Sequence, residues 1–65
     1  MFIFLNGEKH DAVSATTVEE LIEELQLPAQ SLLVEHNGLA LRRDEWNHPL
    51  AGEDRVEIIR IVAGG

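Results

Sequence analysis

One stretch of this chain, Thr17 to Leu25, reads as an amphipathic helix, and it is the one strong helical stretch in 65 residues. Thr17-Val18-Glu19-Glu20 has the form of a capping box, with Thr17 at the N-cap and Glu20 three positions on. Val18, Leu21, Ile22 and Leu25 follow at i, i+3, i+4 and i+7, a single apolar stripe. Glu19, Glu20, Glu23 and Glu24 occupy the opposite side, the first two also suiting the positive end of the helix. Pro28 opposes continuation past Leu27. A lone helix has one face to bury, so the rest of the chain must supply a surface that needs covering on one side only.

The remaining segments read as strands. Met1 to Asn6 is a first strand, Asn6-Gly7 a hairpin turn, and Glu8 to Val13 a second, more polar strand. Ser31 to His36 is a third, followed by a second turn signal at Asn37-Gly38 and a short fourth strand, Leu39 to Arg42. Asp44 to Leu50 reads as irregular, Ala51 to Asp54 as a turn, and Arg55 to Val62 as the last and longest strand. The order strand, strand, helix, strand, strand, strand predicts an α+β fold with a mixed four- to five-stranded sheet packed on one helix. A crossover through the helix would pair the first and last strands in parallel at the centre of the sheet, which is the ubiquitin-like β-grasp topology. Residues 1–62 form the expected domain, and residues 63–65 a flexible C-terminal Gly-Gly tail. The chain has no cysteine, so no disulfide or thiolate metal site can staple so short a domain. Its stability must come from packing, for which a hydrophobic fraction of 45% is sufficient.

Twelve acidic residues against five basic ones give a formal charge of −7, which argues against nucleic acid as a partner. The same charge suits solubility and steering towards a basic protein surface. Phe2-Ile3-Phe4-Leu5 is too short for a membrane span, and no basic region precedes it, so a cytoplasmic protein is expected. His10, His36 and His48 lie in separate segments without ligand spacing and are expected at the surface rather than around a metal. Asp44, Glu45, Glu53 and Asp54 read as turn or solvent residues, and Trp46 as a packing residue.

The sequence ends in Gly64-Gly65, an ending that chance supplies roughly once in 200 chains. Two residues without Cβ atoms can lie in a channel too narrow for any side chain. A carboxylate carried on them could be activated inside another protein. Alternation in the first strand places Ile3 and Leu5 against the helix and turns Phe2 and Phe4 outward. By the same rule Val56 and Ile58 belong to the core, and Ile59 faces out. Phe2, Phe4 and Ile59 are expected to form an exposed apolar patch, with Arg60, Ile61 and Val62 adding to a docking surface ahead of the tail.

Asn37-Gly38, Arg43-x-x-Trp46, Leu50-x-Gly52-x-Asp54-x-Val56-Glu57-Ile58 and Val62-Ala63-Gly64-Gly65 together resemble the sulfur carrier family of thiamine biosynthesis, ThiS. The resemblance covers the whole chain and is most specific over residues 37–65. Arg42 departs from it, because relatives often carry a proline or an aliphatic residue there. The resemblance implies a carrier and not an enzyme, with no catalytic residue, metal or cofactor of its own. A ThiF-like adenylating enzyme using ATP and Mg would activate the Gly65 carboxylate, with Gly64 and Gly65 entering its active site. A sulfur donor fed by a cysteine desulfurase would convert the adenylate to a thiocarboxylate, and a ThiG-like thiazole synthase would receive the sulfur. Three alternatives stay open: a sulfur carrier for molybdopterin or cysteine synthesis, a ubiquitin-like protein modifier joined through Gly65, and a plain β-grasp interaction module whose tail has no chemistry.

Overall fold

The chain begins with strand β1, Phe2–Leu5, and turns back at once into β2, Glu8–Asp11. Asn6 (φ 50°) and Gly7 (φ 83°) are both left-handed, the pair of positive φ values that a type I′ hairpin requires. Asn37 (φ 49°) and Gly38 (φ 86°) repeat the device between β3, Leu32–His36, and β4, Leu39–Leu41. The last strand, β5, runs Arg55–Arg60. The computed structural model describes residues 1–62.

The sheet order is β2-β1-β5-β3-β4. Strands β1 and β5 pair in parallel at Phe4↔Arg55 and Leu5↔Val56, and every other neighbouring pair is antiparallel. All five predicted strands are present, in the β-grasp order. Helix α1, Val18–Glu24, crosses one face and buries Val18, Leu21 and Ile22 against Ile3, Val34 and Val56. At full burial each of these aliphatic side chains contributes on the order of 1.5–3 kcal/mol.

The ends of α1 differ from expectation in detail. Thr17 accepts a hydrogen bond from the Glu20 amide at 3.1 Å, as an N-cap should. Glu20, however, reaches one residue further back than a capping box, accepting from the Thr16 amide at 2.8 Å and the Thr16 hydroxyl at 2.5 Å. These bonds hold its carboxyl below the usual range, the Thr16 hydroxyl contributing most. Thr17 itself sits opposite Pro49 in an isolated bridge, closed by bonds from Val18 N to His48 O and from Leu50 N to Thr16 O. At the other end the helix stops at Leu25, ahead of Pro28. Gln26 adopts φ 57°, its N–H bonds to Glu23 O at 3.0 Å, and the Leu27 N–H bonds to Ile22 O at 3.2 Å. This is a Schellman motif.

The irregular segment after β4 contains a 3₁₀ turn, Arg43–Glu45, and then covers the helix N-terminus. The Val18 N–H donates to His48 O at 3.2 Å and the Glu19 N–H to Trp46 O at 2.8 Å, so two amides at the start of the helix find partners in this loop. Trp46 is 2% exposed and lies in the core, as a packing residue should. Arg43 ties the loop to α1: its guanidinium carbon stands 4.3 Å from the Trp46 ring centroid and its Nη2 is 3.0 Å from Glu19 Oε1. The Arg43-x-x-Trp46 spacing is therefore a folding device. At Arg42 the backbone N–H donates to Glu45 Oε1 at 2.7 Å, a bond no proline could make.

Candidate functional site

The candidate site is the outer face of the sheet where β5 leaves it. Strand β5 lies between a parallel neighbour, β1, and an antiparallel one, β3, and its hydrogen bonds alternate sides. Towards β3 the strand stays paired just past its last residue, with the Ile61 N–H donating to Ser31 O at 2.7 Å. Towards β1, backbone pairing ends where the Asn6 N–H meets Val56 O at 2.9 Å, because β1 turns away at Asn6. The Asn6 side chain continues the pairing: Oδ1 accepts from the Ile58 N–H at 2.8 Å and Nδ2 donates to Ile58 O at 3.3 Å.

Register decides which predicted docking residues meet. Ile3 and Val56 are fully buried, and Phe2 and Phe4 face away from the helix, as alternation requires. Phe2 and Phe4 touch edge to face, with ring centroids 5.7 Å apart, and Lys9 Nζ lies 4.3 Å from the Phe2 centroid. Both rings are therefore only half-exposed. Ile59 does not join them. The residue beside Phe4 is Arg55, so Ile59 lies four positions further along β5, roughly 13 Å away, beyond Glu57. A contiguous Phe2–Phe4–Ile59 patch does not form, because parallel pairing offsets the two strands.

Ile59 instead pairs with Leu33 on β3. Leu33 (55% exposed), Ile59 (50%), Ile61 (50%) and Val62 (81%) form the apolar surface at the exit. Sequence reasoning missed Leu33, whose outward alternation was legible but whose partner strand was not. Arg60 stands on the opposite face, lining a notch of about 260 Å³ with Leu5, Leu25, Leu27, Leu32 and Ile58. Beside the apolar exit, Glu35 and Glu57 lie directly opposite each other across β3 and β5, an unfavourable pairing that a basic partner would relieve. Ala63, Gly64 and Gly65, which include the expected reactive residue, lie outside the described residues.

His48 is exposed as expected, but His36 is not. His36 is 9% exposed, because the alternation that buries Leu32 and Val34 also carries it inward. Its Nε2 lies 2.7 Å from Asp54 Oδ2, and the His48 ring lies tilted against it at 57° with centroids 4.5 Å apart. Asp54 also accepts from the Ala51 N–H at 2.8 Å and from Asn37 Nδ2 at 3.2 Å, so its turn role extends into the fold. Burial works to raise its pKa, but the bonds from His36, the Ala51 amide and Asn37 outweigh it and leave the carboxyl below its ordinary value. Among the described residues, no three histidines or carboxylates are grouped as metal ligands would be. No helix among them is long and apolar enough to cross a membrane.

This geometry recurs in proteins of known structure. The chain superposes on the crystal structure of a thiamine biosynthesis protein (ThiS) from Geobacter metallireducens with a TM-score of 0.82 and 29% identity, all of each chain being covered. The solution structure of a thiamine biosynthesis protein from the same organism gives a TM-score of 0.79 at 29% identity, covering all of this chain and 88% of that one. A thiazole synthase of Magnetococcus marinus is 33% identical over the whole of this chain, which spans only 20% of that protein's length. The uncharacterized protein ycf40 of Trieres chinensis is 24% identical over 95% of this chain and 86% of its own. The sequence profile of the ThiS family matches residues 3–65, and the chain belongs to that family of ubiquitin-like sulfur carriers of thiamine biosynthesis.

Proposed function

We propose that this chain carries sulfur for thiazole formation on its C-terminal residue, and that its catalysts are its partners. The observation that carries the proposal is the family match, which continues past the exposed end of β5 through Gly64 and Gly65. A carboxylate is a poor electrophile and needs a leaving group. In a ThiF-like adenylating enzyme that supplies ATP and Mg, the Gly65 carboxylate would attack the α-phosphate and pyrophosphate would leave. A sulfide, freed by a thiol reductant from the persulfide of a cysteine desulfurase or supplied by another donor, would then attack the acyl carbon and expel AMP, leaving a thiocarboxylate. Gly64 and Gly65 have no side chains to obstruct that approach.

In this proposal Ile59, Ile61 and Val62, joined by Leu33, dock the exit face on the partner. Phe2 and Phe4 form a second contact and Arg60 lines the flank. The acidic pair Glu35 and Glu57 would steer encounter with a basic surface. The thiazole synthase relative supports a ThiG-like acceptor. There, a segment resembling this entire chain is part of the longer protein, and such a tether raises the local concentration of one partner at the other. The proposed site of action is the cytoplasm.

Co-expression with an adenylating enzyme and a sulfur source should yield a chain whose intact mass shows one oxygen replaced by sulfur. That product should support thiazole formation when given to a thiazole synthase. Unmodified carboxylate alone would overturn the carrier reading, and a ladder of adducts on other proteins would replace it with a protein modifier.

A further inference from the structure

Strand β5 needs a neighbour on its β1 side for longer than β1 lasts. The hydrogen-bonded pairs between β3 and β5 are the odd-numbered residues of β5, as the bonds from Asn37 N to Arg55 O and from Ile61 N to Ser31 O show. The even-numbered residues therefore turn their peptide groups towards β1. Asp54 and Val56 find backbone partners there in Phe4 and Asn6. Ile58 does not, because the chain reverses at Asn6-Gly7.

A side-chain amide offers the same acceptor and donor as a peptide group. Asn6 presents both to Ile58, with Oδ1 towards its N–H at 2.8 Å and Nδ2 towards its C=O at 3.3 Å. The one residue thus turns the hairpin with its backbone, at φ 50°, and extends the sheet by one rung with its side chain. We infer that Asn6 is a positioning residue for the activation of Gly65: its amide clamps the β1 side of β5 at Ile58, while the β3 side stays paired as far as Ile61, and so steadies the base from which the chain runs on towards Gly65. This inference rests on the carrier function proposed above. From Arg60, five residues remain to Gly65, roughly 17 Å when extended. If the Ile58 rung is lost, all pairing on the β1 side ends at Val56, and only β3 holds the strand beyond it. The acyl carbon is then presented from a looser base, and loose presentation costs rate even when binding is intact.

Two substitutions separate the clamp from the turn. Asn6→Gly keeps the left-handed backbone at no steric cost and removes both side-chain bonds. Asn6→Asp keeps the turn and the acceptor for the Ile58 N–H but loses the donor to Ile58 O. Amide exchange followed by NMR reads the clamp without any partner. Pyrophosphate exchange with a ThiF-type adenylating enzyme reads the positioning. In Asn6→Gly the Ile58 amide should exchange at least about tenfold faster while Val34 keeps its protection. Its kcat for adenylation should fall about tenfold with KM changed less than about twofold, because the docking face is intact. Asn6→Asp should retain most of the Ile58 protection and lie between the two in kcat. Unchanged Ile58 exchange in Asn6→Gly overturns the clamp, and faster exchange with unchanged kcat overturns its positioning role. Failure of the unsubstituted chain to be adenylated would count against the carrier function, and the exchange measurement would still decide the clamp.

Discussion

His36 and Asp54 are 18 positions apart and paired in the fold at 2.7 Å, where Asp54 also holds the Ala51 and Asn37 contacts that shape the entry to β5. The Asp54 carboxyl titrates below its unfolded value of about 3.9, so its contribution to stability is fully present above about pH 4. That contribution is lost as the pH falls through the lower, folded value. Urea unfolding of the native chain should therefore lose stability below about pH 4, and Asp54→Asn should flatten that dependence. At neutral pH the same substitution should cost about 1–3 kcal/mol, because an amide cannot accept all three bonds as the carboxylate does. An Asp54→Asn chain with an unchanged acid limb would remove this network from the account. Turn chemistry made Asp54 legible in the sequence, but nothing local announced His36 as its partner. Their meeting depends on β3 and β5 being neighbours.

Among the elements, the helix was read most completely. Its stripe, its N-cap at Thr17 and its acidic outer face are all present. Its stop was not read from the right residue. Pro28 bounds the segment, yet the chain leaves the helix earlier, by placing Gln26 in the left-handed region at φ 57°. A non-glycine residue there costs roughly 1–2 kcal/mol. Gln26→Gly should accordingly raise stability by about 0.5–1 kcal/mol, measured as a higher urea midpoint with an unchanged slope. A drop in midpoint would mean that the Gln26 side chain does more at the helix end than its backbone costs. The loop over residues 43–50 was also read only in part. Trp46 declared itself as a packing residue, while the bonds from Val18 and Glu19 to its carbonyls have no local signature.

For the whole molecule, the body and the proposed reacting group are separable. Among the described residues the buried core runs from Ile3 to Val56, and in β5 beyond that point only the partly buried Ile58 packs against it. Deleting Gly65 should therefore leave the thermal midpoint within about 1 °C while abolishing activation by the adenylating enzyme. A shift of several degrees would show that the end of the chain supports the fold.

The sequence by itself determined the elements, their order and the parallel pairing of the first and last strands. Turn dipeptides, caps and hydrophobic period are local properties, and a single helix leaves few ways to cover one sheet face. Family membership was legible for the same reason, since its motifs lie within short stretches of chain. Only the tertiary structure decided which outward residues share a surface. It separated Ile59 from Phe2 and Phe4, joined it to Leu33, buried His36, and set Asn6 beside Ile58, 52 positions away. Alternation tells which face a side chain takes, but the offset between neighbouring strands is fixed by long-range pairing, and that offset decides what each side chain meets.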